Sequence, residues 1–224
     1  QWGLVHEALN ERSLLLKLIP DLVKPVPILL PVFKSDKRPP WLVRTGLFFY
    51  DLLAGDGLLP SATSIVKEDI HHYAPYLSKE KIERDMKCAF LYYDAQMLDD
   101  VIARLVAFAA RKLGATFEEN TTVTKIEKKE NHFEVTLQKN KVEQKITAKH
   151  VVNATGAWAN KNLIHWGFVP NRVCLLNLGS HLVFNKEVTP NIDINSCAGS
   201  LIQEPDGRVV FFIPWWDRWL MGTT

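Results

Sequence analysis

Apolar residues recur at intervals of three and four through Met97, Leu98, Val101, Ile102, Leu105, Phe108, Ala109 and Leu113. That period puts one face of a helix toward a core, so a helix is predicted over residues 95–113. Asp94 stands where an N-cap oxygen would sit, and Gly114 where a helix leaves through the left-handed region. Leu4, Ala8, Leu15 and Ile19 keep looser helical spacing and predict a helix over residues 3–19, stopped by Pro20. An apolar helix over 41–53 ends at Gly55-Asp56-Gly57, and a short helix is expected over 79–85. Residues 20–40 hold six prolines and read as a connector.

After residue 120 the period changes. Segments 123–128 and 132–138 predict a strand pair joined around Glu130-Asn131, and 145–153 a third strand. Residues 161–166 suggest one helical turn. Segments 172–184 and 200–204 read as strands, and Asp206-Gly207 as a hairpin turn into 208–214. Helix 95–113 followed by strands up to Asn153 is an αβ sequence. In nucleotide-binding folds such a helix covers a sheet face and delivers the chain to a strand whose end points at the cofactor.

The chain has 224 residues, 47% of them apolar and 23% charged, which fits one large globular domain or two small ones. A net charge of +2 with no basic block gives no warrant for a nucleic-acid partner. Cys88, Cys174 and Cys197 are widely spaced and odd in number, so a reducing compartment is expected rather than a disulfide framework. No basic n-region precedes an apolar core at the start, so no signal peptide is expected among these residues, and no 18-residue uncharged apolar run predicts a membrane-crossing helix. The nearest candidate, residues 18–33, is broken by Asp21, Lys24 and four prolines. It reads as a buried, kinked connector or as a surface resting on a bilayer. Gln1 opens inside a helical pattern and Thr224 follows a strand pattern directly, so an internal piece of a longer protein is expected.

The most informative residues are 151–160, VVNATGAWAN. Two β-branched residues run into Asn153-Ala154-Thr155-Gly156, and Trp158 follows. A strand ending in such small residues lets a cofactor's phosphate or ribose come close to the main chain. It also suits a plain strand-to-turn junction. The phosphate-cradling GxGxxG turn is absent. The only GxG is Gly55-Asp56-Gly57, with Pro60 where a third glycine would stand.

Taken together, the words of this chain resemble the FAD-dependent glycerol-3-phosphate dehydrogenases. They are HEALNERSLLLKLIPDLVKP (6–25), PPWLVRTGLFFYDLL (39–53), YYDAQMLDDVIARLVAFAARKLGA (92–115), VVNATGAWAN (151–160), GSHLVF (179–184) and VVFFIPWWDRWLMGTT (209–224). Six words in the family's order are hard to obtain by chance. The resemblance implies an α/β (α+β) fold, with part of an FAD-binding Rossmann-like domain and an antiparallel-sheet substrate domain. Residues 1–90 would be helical connector and the start of the substrate domain, 91–160 part of the FAD-binding domain, and 161–224 substrate-domain sheet. The family's GxGxxG unit and its phosphate-binding arginines would lie outside these residues, so no such role is given to Arg44, Arg172, Arg208 or Arg218.

By position, the resemblance puts Val123 at the adenosine end of FAD through its main chain. It puts Ala154, Thr155 and Gly156 nearest the cofactor, with Trp158 beside them. It makes His181 of Gly179-Ser180-His181 the catalytic candidate, as base or as hydrogen-bond partner of the substrate hydroxyl. A neutral imidazole suits that task, whereas a lone histidine at a strand start is also commonly structural. Two residues depart from the family pattern: Ala157 replaces a usual Pro, and Leu178 a common Lys. The closing Gly222-Thr223-Thr224 matches a turn at the flavin-facing edge or is a plain strand end.

The implied activity is oxidation of glycerol 3-phosphate to dihydroxyacetone phosphate, with electrons passing to a quinone. The implied setting is cytoplasmic, with room for peripheral attachment to the inner face of the membrane and for a homodimer. Alternatives are a glycerophosphate oxidase, another flavoprotein of this fold acting on amines or hydroxyacids, and a non-catalytic scaffold without cofactor. No metal is expected, because the adjacent His71 and His72 rarely point the same way and no third ligand is spaced nearby. Phe211, Phe212, Trp215, Trp216 and Trp219 are expected to pack around an active-site wall rather than to stack on bases. Asp99 and Asp100 fit a helix surface, not a catalytic pair.

Overall fold

The computed structural model describes residues 2–55, 57–173, 175–204 and 206–222. Asp56, Cys174, Thr223 and Thr224 therefore lie outside the described residues. So do the middle of the Gly-Asp-Gly word, one expected thiol and the end of the Gly-Thr-Thr word. The helices are α1 (Trp2–Leu18), α2 (Pro40–Ala54), α3 (Ile70–Tyr73), α4 (Lys79–Asp85), α5 (Asp99–Lys112) and α6 (Ala159–His165). The strands are β1 (Val23–Phe33), β2 (Thr63–Ile65), β3 (Met86–Met97), β4 (Thr122–Lys128), β5 (Phe133–Lys139), β6 (Val142–Ala148), β7 (Leu182–Asn185), β8 (Gly199–Gln203), β9 (Val209–Trp215) and β10 (Arg218–Gly222). The chain divides into two compact units, one of residues 1–105 with 179–224, the other of 106–178.

The first unit is built on a seven-stranded sheet in the order β2-β3-β1-β8-β9-β10-β7. Every neighbouring pair is antiparallel except β1 and β8, which meet over Ile28↔Gly199 and Leu29↔Ser200. The mixed α and β class expected from the sequence holds. The expected connector at 20–40 does not, because β1 is the longest ladder of the sheet and pairs with β3 from Val23↔Met97 to Phe33↔Met86. Its prolines explain both the misreading and its correction. Pro25, Pro27 and Pro31 have one parity, so their missing N–H groups fall on one edge of the strand. The ladder to β3 is long and the ladder to β8 only two pairs, as expected if the proline edge faces β8. Val23, Val26, Leu29, Val32 and Phe33 are buried, so this segment is sheet interior and not a bilayer-resting surface.

The predicted helix at 95–113 begins later, at Asp99. Residues 95–97 belong to β3, where pairing with β1 outweighs helical spacing, and Leu98 N–H donates to Leu22 O at 3.1 Å. Asp94 is therefore not an N-cap. Gly114, with φ +98°, does leave the helix in the left-handed region. The short helix at 79–85 forms as expected, capped by Ser78, whose hydroxyl accepts from Lys81 N–H. The helix at 41–53 also forms and is closed by Gly55 at φ +62°.

Residue parity sorts the faces of the seven-stranded sheet. Leu29, Leu91, Ser200, Phe212 and Trp219 point to one side, where Ile70 and Ala74 at α3, Ile82 of α4 and the 192–198 loop close the core. Trp219, fully buried, stacks on Phe212 with ring centroids 4.5 Å apart and donates from Nε1 to Thr189 Oγ1 at 2.9 Å. Tyr76 packs edge-on against both rings and donates its hydroxyl to Ala198 O at 2.8 Å. The other side carries Ile28, Tyr92, Leu201, Phe211, Ile213 and Leu220, and it is hollow.

The second unit holds the antiparallel sheet β4-β5-β6. The pairing of 123–128 with 132–138 is as predicted, with an irregularity at Val123/Lys125. The predicted strand at 145–153 ends at Ala148, and Val151–Thr155 has no regular structure. The predicted strand at 172–184 survives only as β7, because Val173, Leu175, Leu176 and Leu178 are exposed and, among the described residues, have no ladder to join. Likewise α5 has an apolar stripe but no buried residue, so it does not cover a sheet face as the αβ reading expected. The turn at 161–166 is realised as α6. No helix among the described residues is long and apolar enough to cross a membrane.

Candidate active site

The hollow side of the seven-stranded sheet holds an open cavity of about 680 Å³, within the range of small-molecule sites. Val26 and Ile28 of β1 form one part of its floor, with Tyr92, Asp94 and Gln96 directly beside them on β3. Leu201 of β8, Phe211, Ile213 and Trp215 of β9 and Leu220 of β10 extend the apolar part. The period-two alternation of YYDAQM is what aims Tyr92, Asp94 and Gln96 into one space.

His181 lines this cavity, one residue before β7. Continuing the β7–β10 register sets it opposite Gly222. A Cβ added at Gly222 would lie 2.5 Å from His181 Cδ2 and 3.0 Å from Phe211 Cζ, so the imidazole would have to shift to admit it. Phe211 meets the ring edge-on, with centroids 5.2 Å apart. Gly199 serves the same floor, since its Cβ would stand 2.5 Å from Ile213 Cγ2.

Behind the polar corner lies Arg12 of α1, 8% exposed. Its Nη1 donates to Tyr50 Oη at 2.6 Å and lies 3.4 Å from Asp94 Oδ1. The guanidinium also sits 5.4 Å from the centre of the Tyr50 ring, which meets Tyr92 edge-on at 5.7 Å. Asp94 Oδ1 accepts from Ala95 N–H at 2.9 Å. Burial, reinforced by the Asp94 charge, pushes the hydroxyls of Tyr50 and Tyr92 well above the ordinary tyrosine value, so both stay protonated as donors. Sequence reasoning missed Arg12, Tyr50, Tyr92 and Gln96 and gave Asp94 another role. The legible signal was the alternation at 92, 94 and 96.

The other candidate positions lie in the second unit. Val123 is on β4 at the strand irregularity, and its carbonyl accepts from Trp166 Nε1 at 2.9 Å. Asn153 ties the next turn together. Its Oδ1 accepts from the Thr155 hydroxyl at 2.7 Å, and its Nδ2 donates to Ala159 O at 2.9 Å. Asn162 Nδ2 donates to Thr155 Oγ1 at 3.0 Å, and Trp158 N–H to Thr155 O at 3.1 Å. Ala154, Thr155, Gly156 and Trp158 are exposed, and Gly156 takes φ +57° with open space where a Cβ would be. The result is a hydrogen-bonded, small-residue turn with an open main chain. Val123 and this turn thus share one unit, and His181 belongs to the other. Of the aromatic run, Phe212 and Trp219 fill the core, while Phe211 and Trp215 face the cavity. Trp216 sits at φ +54° in the turn between β9 and β10.

The mixed sheet with a histidine-bearing cavity on one face, and the separate small-residue turn, sit in a chain whose family is that of cofactor-dependent oxidoreductases. The chain belongs to the FAD dependent oxidoreductase family, whose model matches residues 1–224. It is 32% identical over 239 residues to the mitochondrial glycerol-3-phosphate dehydrogenase of Rattus norvegicus, covering all of this chain and 31% of that protein. It is 30% identical over 240 residues to the glycerol-3-phosphate dehydrogenase of Synechocystis, covering all of this chain and 42% of that protein. The chain thus spans about a third to two-fifths of the length of the curated relatives it matches. Its fold is shared with a glycerol-3-phosphate dehydrogenase from Bacillus halodurans solved with FAD, at a TM-score of 0.69 and 20% identity, over 98% of this chain and 38% of that one.

Proposed function

We propose that this chain builds the substrate-cavity wall of an FAD-dependent glycerol-3-phosphate dehydrogenase, which oxidises glycerol 3-phosphate to dihydroxyacetone phosphate. The observation that carries this reading is the seating of His181 in the sheet cavity, against a glycine whose missing side chain leaves the ring its space. His181 takes the proton of the C2 hydroxyl, or holds that hydroxyl by a hydrogen bond, as the C2 hydride leaves. FAD, when bound, supplies the hydride acceptor. The apolar floor of Ile28, Leu201, Ile213 and Leu220 keeps water from the reacting carbon. Names of the curated relatives support the substrate.

The turn Ala154-Thr155-Gly156 fits one flank of a flavin site, because its main chain is open and its side chains are small. Val123 and Trp158 complete that flank in this reading, and the part of residues 91–160 that lies in the second unit contributes to the FAD-binding domain. In this reading electrons then pass to a quinone.

The test is an anaerobic visible spectrum of the full-length protein before and after glycerol 3-phosphate. Bleaching of the oxidised-flavin band supports both cofactor and substrate. A band that ignores glycerol 3-phosphate removes the substrate, and no band removes the cofactor. His181→Ala is expected to lower turnover at least ~100-fold with FAD content unchanged; equal losses of both would refute the role given to His181.

A further inference from the structure

The cavity is chemically lopsided. Among its described lining residues the charged or ionisable side chains are Asp94, Asp99, His181 and Tyr92, and there is no lysine or arginine. The β3 side is rich in acceptors. Asp94 presents a carboxylate that is 42% exposed, and Gln96 lines the same wall. Such a wall repels a phosphate and attracts a hydroxyl donor.

We propose that Asp94 and Gln96 read the terminal hydroxyl of the substrate, the end opposite the phosphate, and that Arg12 is the positioning residue holding Asp94 for that task. The assignment rests on the glycerol 3-phosphate reading above. Arg12 does not line the cavity. It reaches Asp94 from α1 and carries Tyr50 on the same nitrogen, and Tyr50 in turn bears on the cavity ring Tyr92. The carboxylate is thus held through Oδ1, by Arg12 and by Ala95 N–H, on the wall that faces the cavity. The phosphate must then point away from β3, toward cations outside this cavity wall.

The test uses full-length holoenzyme and two substrates, glycerol 3-phosphate and propane-1,2-diol 1-phosphate. The second keeps the phosphate and the secondary alcohol but lacks the terminal hydroxyl. Wild type is expected to favour glycerol 3-phosphate at least ~100-fold in kcat/KM, since a site built for a hydroxyl rejects its absence strongly. Asp94→Asn and Gln96→Leu should each cost about 30-fold on glycerol 3-phosphate and less than ~3-fold on the analogue. Arg12→Gln should narrow the same ratio, and Arg12→Lys should restore part of it. Binding of dihydroxyacetone phosphate by calorimetry should weaken in step with the kinetic loss. If Asp94→Asn fails to retain flavin, Gln96→Leu makes the same comparison. Equal losses on both substrates, or a wild type indifferent to the missing hydroxyl, overturn the assignment. A wild-type flavin that neither compound bleaches overturns the underlying substrate reading and this assignment with it.

Discussion

Gly222 and His181 face each other across neighbouring strands so closely that a methyl group on the glycine would stand 2.5 Å from the imidazole Cδ2. Gly222→Ala is therefore expected to push the ring out of its seat. Phe211, 3.0 Å from the same methyl, leaves no room on the other side. Turnover of the full-length protein should fall at least ~10-fold, since catalytic geometry tolerates little displacement. FAD content, read from the ratio of flavin to protein absorbance, should not change. Unchanged turnover would show that the imbalance in space has no bearing on the chemistry.

Gly199 offers the matching test of packing. Its added Cβ would meet Ile213 Cγ2 at 2.5 Å inside the sheet floor. Gly199→Ala should cost about 1–3 kcal/mol, the usual range for overpacking. Adding Ile213→Ala removes the clashing group, so thermal denaturation should show the double variant less destabilised than the sum of the two single variants.

Trp219→Ala is expected to cost about 3–5 kcal/mol, because the side chain is fully buried and its stacking on Phe212 and its Nε1 hydrogen bond are lost together. Denaturant melts of the full-length protein would measure this. A loss below ~1 kcal/mol would mean that the Trp219 side chain is not the keystone of that core.

Tyr50, Tyr76 and Tyr92 make the stability of the first unit sensitive to alkali. Burial raises all three hydroxyls above the ordinary value of 10.0. A group whose folded pKa is raised contributes stability that is full below its unfolded pKa and is lost as pH rises toward the folded value. Stability should therefore hold up to about pH 10 and decline above it. Tyrosinate absorbance should reveal at least three of the five tyrosines ionising together with unfolding. Smooth titration of all five ahead of any loss of structure would refute this.

Local signals were legible where local physics decides. The helix at 79–85, with Ser78 as cap, and the one at 41–53, closed by Gly55, follow from spacing and cap residues alone. The misreadings fall where a distant partner decides. Prolines 25, 27 and 31 argue against a strand until β3 is seen to occupy the opposite edge. Ala95–Met97 has helical spacing until β1 claims it. Conversely, the segments before Asn153 and before Leu182 look like strands but find no partner strand among the described residues. In the candidate site His181 could be named from its neighbours in the chain. Arg12, Tyr50 and Asp94 could not, because they lie 38 to 82 residues apart and only folding brings them together.

The alternation along β10 carries a consequence for how this chain can vary. Trp219 serves the core, Leu220 the cavity, and Gly222 the histidine, each by counting from the turn at Trp216-Asp217. Removing one residue from that turn would exchange the faces, sending tryptophan toward the cavity and leucine into the core. A point change disturbs one face at a time, whereas a single in-frame codon gained or lost here would cost foldability and chemistry at one stroke. Variation among working sequences should therefore come as substitution along β10, with the count of residues from the turn to Gly222 held constant.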